Sequence, residues 1–161
     1  MILIIHDLDE DLFLKTKFNN IEDSKVIKLD NIKPCMGCFK CWLETPNICA
    51  LNDNFKTNGL LLSQADKIIV ISKNNYGMFS PKIKNFFDRS ISYVMPQFKI
   101  VYGEIHHYSR YSKKLNIDYY LYGDILNEEK DTLKRLVKAN GENMHSDNNL
   151  YFIDNWEDYY G

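Results

Sequence analysis

Four cysteines, Cys35, Cys38, Cys41 and Cys49, fall in one short window, and the chain has no others. Their spacing is C-x2-C-x2-C-x7-C. Thiolates are soft metal ligands and redox groups, and a C-x2-C-x2-C core is of the kind that ligates iron-sulfur clusters. Structural zinc more often takes two close pairs separated by a longer stretch. The same residue types also serve as small buried side chains or free thiols. A second segment, 72–79, is polar and aromatic and runs into Ser80-Pro81, Lys82 and Lys84. A third begins His6-Asp7-Leu8-Asp9-Glu10-Asp11, with four carboxylates and no glycine, serine, threonine or arginine.

The elements that must position these segments alternate between strand and helix. Residues 1–5, 24–29, 67–71, 118–122 and 150–153 read as strands, the first and third as continuous apolar runs of the kind buried on both faces of a parallel sheet. Residues 11–18 and 53–64 read as helices. Ser80 as N-cap and Pro81 at the first helical position open another, with Ile83, Phe86, Phe87, Ser90, Ile91 and Val94 on one face. The last helix is expected to be capped by Asn127, with Glu128 and Glu129 in its first turn, Lys138 in its last and Gly141 as its stop. Asp131 and Arg135 form an i,i+4 pair on it. Lys82, Lys84 and Arg89 read as a solvated face. Strictly alternating β and α elements predict one three-layer α/β/α sandwich over residues 1–161. Its five parallel strands would take the flavodoxin-like order 2-1-3-4-5, with ligands bound beyond the carboxyl ends of the strands.

On the segments Lys33-Pro34-Cys35-Met36-Gly37-Cys38-Phe39-Lys40-Cys41-Trp42, Cys49, Asn52-Asp53, the loop 72–79, Asp88-Arg89, Gly103-Glu104-Ile105-His106-His107, Arg110-Tyr111 and Tyr122-Gly123, the chain resembles the NAD(P)H-dependent FMN reductases. Within them it resembles the branch that contains the iron-sulfur flavoproteins. The resemblance runs from Ile32 to about Asn149. It implies a bound FMN, with Ser72, Asn74, Asn75, Tyr76, Gly77 and Phe79 around the isoalloxazine ring and Tyr122 and Gly123 closing the other side. A flat ring suits tyrosine stacking, and glycine lets backbone N–H groups come close. It implies NAD(P)H as electron donor, hydride transfer to the flavin, and delivery to an acceptor that the sequence does not name. It also implies Cys35, Cys38, Cys41 and Cys49 as ligands of a [4Fe–4S] cluster, giving an iron-sulfur electron-transfer flavoprotein as the alternative. Relatives of this kind are often dimers or tetramers, and 20 Phe and Tyr residues suit an aromatic contact surface.

The first loop departs from that pattern. Family members place Gly, Ser, Thr and Arg there to hold the FMN phosphate through hydroxyls and helix-terminal N–H groups. Here four carboxylates stand in their place, and each like-charge pair at ~4 Å costs about 1–4 kcal/mol. Such acids also suit the first turn of a helix. Three outcomes follow: FMN held weakly, a phosphate held by a partner subunit, or a flavodoxin-like chain that has lost FMN and acts as a binding or partner module. His106 and His107 would point to opposite faces of a strand, and either with Arg110 would suit a nicotinamide phosphate or anionic substrate. The terminal segment 156–161, acidic and aromatic, is expected either to dock on a neighbouring subunit or to fray.

Composition sets the remaining bounds. At 161 residues the chain can bury roughly two-thirds of its unfolded surface and needs no metal merely to fold. A formal net charge of −2 gives no general pull toward nucleic acid or an anionic membrane. No apolar run nears the ~20 residues that span a bilayer, and the start lacks a basic n-region. The expectation is a cytoplasmic protein.

Overall fold

The computed structural model describes residues 1–161. The elements are β1 (Ile2–His6), α1 (Glu10–Lys15), β2 (Ser24–Lys28), α2 (Lys40–Leu43), α3 (Asn58–Gln64), β3 (Lys67–Lys73), α4 (Pro81–Asp88), β4 (Val94–Val101), β5 (Glu104–Ser109), β6 (Leu115–Tyr122), α5 (Asn127–Met144) and β7 (Ser146–Ile153). Five parallel strands form one sheet in the order β2-β1-β3-β6-β7. The expected order 2-1-3-4-5 differs from this numbering because an antiparallel hairpin, β4–β5, stands between β3 and β6 outside the sheet. No helix is long and apolar enough to cross a membrane.

The apolar strands are buried on both faces, as their unbroken runs predict. Leu3 and Ile5, Ile68 and Val70, Ile117, Tyr119 and Leu121 point into one cluster with Leu62, Ile83, Phe86, Leu133 and Val137 of α3, α4 and α5. The intervening Ile4, Ile69 and Ile71 point into a second cluster with Phe13 and Phe18. This opposite face is covered by α1, a one-turn 3-10 helix at Lys17–Asn20 and another at Trp156–Tyr159. The carboxyl-terminal segment neither frays nor projects. Tyr159 stacks on Phe18, Lys17 sits 4.3 Å over the Tyr159 ring, and the Gly161 N–H donates to the Lys15 carbonyl.

Five local expectations are corrected. The helix predicted over 53–64 begins only at Asn58, because Asp53 turns its carboxylate to the Phe55 N–H and to Arg89. The helix opened by Ser80-Pro81 is present, with the Ser80 hydroxyl accepting from Ile83 N–H, but it ends at Asp88, and Val94 starts β4 instead. Gly141 does not stop the last helix, which runs to Met144 and closes on His145 in the left-handed region. Gly141 is needed for close approach: a Cβ there would meet the Ser146 carbonyl at 3.1 Å. Leu126 rather than Asn127 is the N-cap, its N–H taken by the Glu129 carboxylate at 3.0 Å, and Asp131 pairs with Lys134 rather than Arg135.

Candidate functional site

The carboxyl ends of β1, β3 and β6 meet at the switch point, where the connections after β1 and β3 run to opposite faces of the sheet, and Asp7 ties the strand ends together. Its carboxylate accepts the Lys73 N–H at 3.1 Å and the Tyr122 hydroxyl at 3.1 Å. Burial and the Asp7 charge push the Tyr122 phenol well above its ordinary pKa, so it remains a hydrogen-bond donor. Asn74 joins the loops beyond β3 and β6. Its N–H donates to the Tyr122 carbonyl, its side-chain amide donates to the Asp124 carbonyl and to Glu129, and its Oδ1 accepts from the Gly77 N–H.

Asn75 and Met78 exchange backbone hydrogen bonds, closing a tight turn with Tyr76 and Gly77 both at positive φ. Gly77 is required there, since a Cβ would meet Thr132 at 3.2 Å in a backbone conformation that side chains rarely adopt. The turn throws the Tyr76 ring outward, 88% exposed. The sequence-predicted residues therefore divide. Tyr76 and Asn75 face outward, and Tyr122 and Gly123 lie alongside, with the Lys73 stem 3.6 Å from where a Gly123 Cβ would stand. Ser72 is buried, accepting from the Ser80 N–H and donating to the Lys73 carbonyl. Phe79 is also buried, stacked on Tyr119 in the core. Asn74 and Gly77 shape the loop from within.

Beside this loop lies a cavity of about 240 Å³ lined by His6, Asp7, Asp9, Glu10, Asp30, Lys28 and Lys82. Glu10 is paired with Lys28 at 2.7 Å. His6 is 3% exposed and stacks face to face on Phe13 at 4.0 Å, and neither ring nitrogen has a partner. Burial pushes its pKa down and keeps the ring neutral. This is where the sequence resemblance puts the FMN phosphate, and the residues do not fit one. The six-residue α1 begins behind Asp9, with Glu10 and Asp11 in its first turn. Its positive end is already met by carboxylates. Neither His6 nor Asp7 was expected to act here. A polar residue directly ending a buried strand was the available signal.

The cysteines lie at a separate place. Cys35, Cys38, Cys41 and Cys49 line one narrow cavity with Leu51, Arg89 and Ile91. Cys35 and Cys38 are exposed and Cys41 and Cys49 half-buried, none in a disulfide. Burial and then the three neighbouring thiols push the Cys41 thiol above its ordinary pKa. Arg89 lines the same cavity as Cys49. No group of three or more His, Cys, Asp or Glu converges as a single metal ion requires. Arg89 is not on a solvated face: its side chain is fully buried and paired with both Asp53 oxygens at 2.5 and 2.8 Å, and it donates to the Lys33 carbonyl. That guanidinium holds the Asp53 carboxyl down to a pKa of about 2. Asn85 accepts the Cys35 N–H and donates to the Lys33 carbonyl, tying the cysteine segment to α4.

Trp42 fixes the other side, its indole N–H donating to the Val94 carbonyl at 2.9 Å and its ring standing between Phe39 and His107. His107 stands between Trp42 and Phe98, whereas His106 faces Glu104 and Asn143, so the two histidines diverge as strand geometry requires. Arg110 donates to the Ser92 carbonyl. A surface hollow of about 670 Å³ between α5 and the start of β7 lies toward the amino ends of the strands and gathers none of these groups.

No family model matches the sequence, and no curated protein does. Solved structures do match in shape. An FMN-dependent NADH-azoreductase from Bacillus anthracis, solved in complex with FMN, superimposes with a TM-score of 0.55 at 13% identity, over 94% of this chain and 85% of that one. A protein assigned by inference as a quinone reductase, from Klebsiella pneumoniae, superimposes with a TM-score of 0.52 at 10% identity, over 95% of this chain and 75% of that one. At these identities the likeness is one of architecture, and it places the chain among folds of the flavodoxin-like type.

Proposed function

We propose that the chain is a flavin-dependent oxidoreductase that draws electrons from NADH or NADPH. The observation that supports this best is the locked pair of loops at the switch point. Asn74 braces residues 72–79 against 122–124, and Tyr76 projects beside them as an uncommitted aromatic face. The solved structures of like fold include an FMN-dependent NADH-azoreductase. When bound, a flavin supplies hydride acceptance and electron release. The protein's part is to hold the ring in place, with Asp7 and Tyr122 fixing the strand ends beneath it and the loop turn presenting Tyr76. The test is titration of the purified protein with flavins, followed by fluorescence, together with NADH and NADPH oxidation. Protein that neither retains nor takes up any flavin would sink this reading and leave a binding module built on the same fold.

A second reading adds a [4Fe–4S] cluster on Cys35, Cys38, Cys41 and Cys49. What supports it is the shared cavity of four thiols beside a buried guanidinium, without the tight convergence of a single-ion site. A cubane spaces its thiolates more widely than one zinc, whose Zn–S bonds are ~2.3 Å. Iron and sulfide assayed on protein purified without oxygen decide it, and Cys35→Ser with Cys38→Ser must abolish both.

We further propose that two copies associate through the hairpin. Phe98, Ile100 and Ile105 are 63%, 78% and 71% exposed on one face of β4–β5, continuous through His107 and Trp42 with half-exposed Phe39. Lys40 with Glu44 gives that apolar band a margin of both signs, which a two-fold related copy can match.

A further inference from the structure

The acidic cavity beside β1 narrows the flavin reading, on which the following inference rests. We propose that this site takes a flavin lacking the terminal phosphate, with riboflavin the simplest, in preference to FMN.

Charge supplies the first reason. Of the groups lining the cavity, Lys28 is spent on Glu10, and Asp7 is spent on the Lys73 N–H and the Tyr122 hydroxyl. Asp9 and Asp30 have no ion-pair partner, and Lys82 is the one unpaired cation among the lining residues. A phosphate dianion entering here meets more acid than base, and a helix end that Asp9, Glu10 and Asp11 already face.

Hydrogen-bond direction is the second and independent reason. Carboxylates only accept, so a ligand group that displaces water from the exposed Asp9 and Asp30 must donate to them. His6 lines the same cavity, 3% exposed, with both nitrogens unpartnered. A neutral imidazole offers one donor and one acceptor. Hydroxyl groups donate and accept, so a polyol chain answers both carboxylates and sets hydroxyls against the wall that His6 forms. A phosphate dianion only accepts and leaves the carboxylates unanswered.

The test is to titrate the flavin-free protein with riboflavin and, separately, with FMN, following quenching of flavin fluorescence at low and moderate salt, with EDTA and then with Mg²⁺. Riboflavin is expected to bind at least tenfold more tightly than FMN at low salt, with the gap narrowing as salt rises. The exposed changes Asp9→Asn and Asp30→Asn should raise FMN affinity several-fold and lower riboflavin affinity, so that the preference shrinks from both sides. FMN binding as tightly as riboflavin, or FMN recovered as the flavin that co-purifies, would overturn the proposal while sparing the flavin reading. Parity restored by Mg²⁺ would also overturn it, since the acids would then hold a cation. Binding of neither flavin removes both readings together.

Discussion

Asp53→Asn is the most informative single change, because the structure fixes its size from two directions. The Arg89 side chain is fully buried, and Asp53 is its only anionic partner, 11% exposed. Removing one member of a buried pair while leaving the other costs about 3–5 kcal/mol. The pH dependence gives a second measure. Asp53 is held at a pKa of about 2 against an ordinary 3.8, first by the Arg89 hydrogen bonds and helped by the Phe55 and Lys33 N–H groups. A shift of that size corresponds to about 2 kcal/mol. The folded pKa is depressed, so this stability is complete above the unfolded value near 4 and drains away as pH falls through about 2. Urea unfolding of the wild type and Asp53→Asn, measured at pH 7 and repeated down to pH 2, should show a large gap at neutral pH that shrinks by about 2 kcal/mol at the acid end. Asp53→Leu with Arg89→Met should lose less than Asp53→Asn alone, because no buried charge is stranded. A neutral-pH loss below about 1 kcal/mol for Asp53→Asn would show that Arg89 finds solvent or another partner, and would refute the reasoning.

Tyr76→Ala should leave urea stability within about 0.5 kcal/mol, since the ring touches little of its own chain, while weakening flavin binding up to about tenfold through lost stacking. Equal affinity in the two proteins would remove Tyr76 from the site. Gly77→Val should cost at least about 1 kcal/mol, read from the same unfolding curves, because the position combines a φ of +76° with a Thr132 contact at 3.2 Å. Ile100→Glu with Ile105→Glu should convert a dimer to a monomer in light scattering, and a wild type that already runs as a monomer would contradict the hairpin interface. His6→Phe should flatten the loss of stability between about pH 7 and pH 5. The buried imidazole has a lowered pKa, so its contribution is present above the unfolded value of about 6.5 and is lost as protons bind below it. An unchanged pH profile would show that His6 gains a proton without penalty.

The sheet was legible because its strands are buried on both faces, and a continuous run such as Ile68 to Ile71 has few other uses. The hairpin was not. Helical spacing from Ile83 carries on through Ile91 to Val94, so nothing local marks the break after Asp88. What accompanies the end of α4 is distant: Arg89 turns inward to Asp53. The tip of the hairpin uses Tyr102 and Gly103 at positive φ, a turn usually announced by Asn-Gly or Asp-Gly. Arg89 was misread for a related reason. It follows two exposed lysines on one short helix, and only a carboxylate 36 residues away shows that it is not a third.

The candidate site divides along the same line. Loop identity and chain order placed 72–79 and 122–124 at the switch point, because those follow from strand order alone. Which groups remain free for a ligand depends on pairings that no local pattern encodes. Tyr122 reaches Asp7 across 115 residues, and that one bond alters the meaning of the first loop. Were all four acids free, the loop would simply repel any anion and tell nothing of what it accepts. With Asp7 and Glu10 satisfied internally, the loop's surplus is reduced to Asp9 and Asp11, and Asp9 alone of these lines the cavity, where Asp30 from beyond β2 joins it beside the unpartnered His6. That remainder asks for hydrogen-bond donors rather than charge, so discrimination between riboflavin and FMN reports on this cavity in a way that flavin binding alone does not.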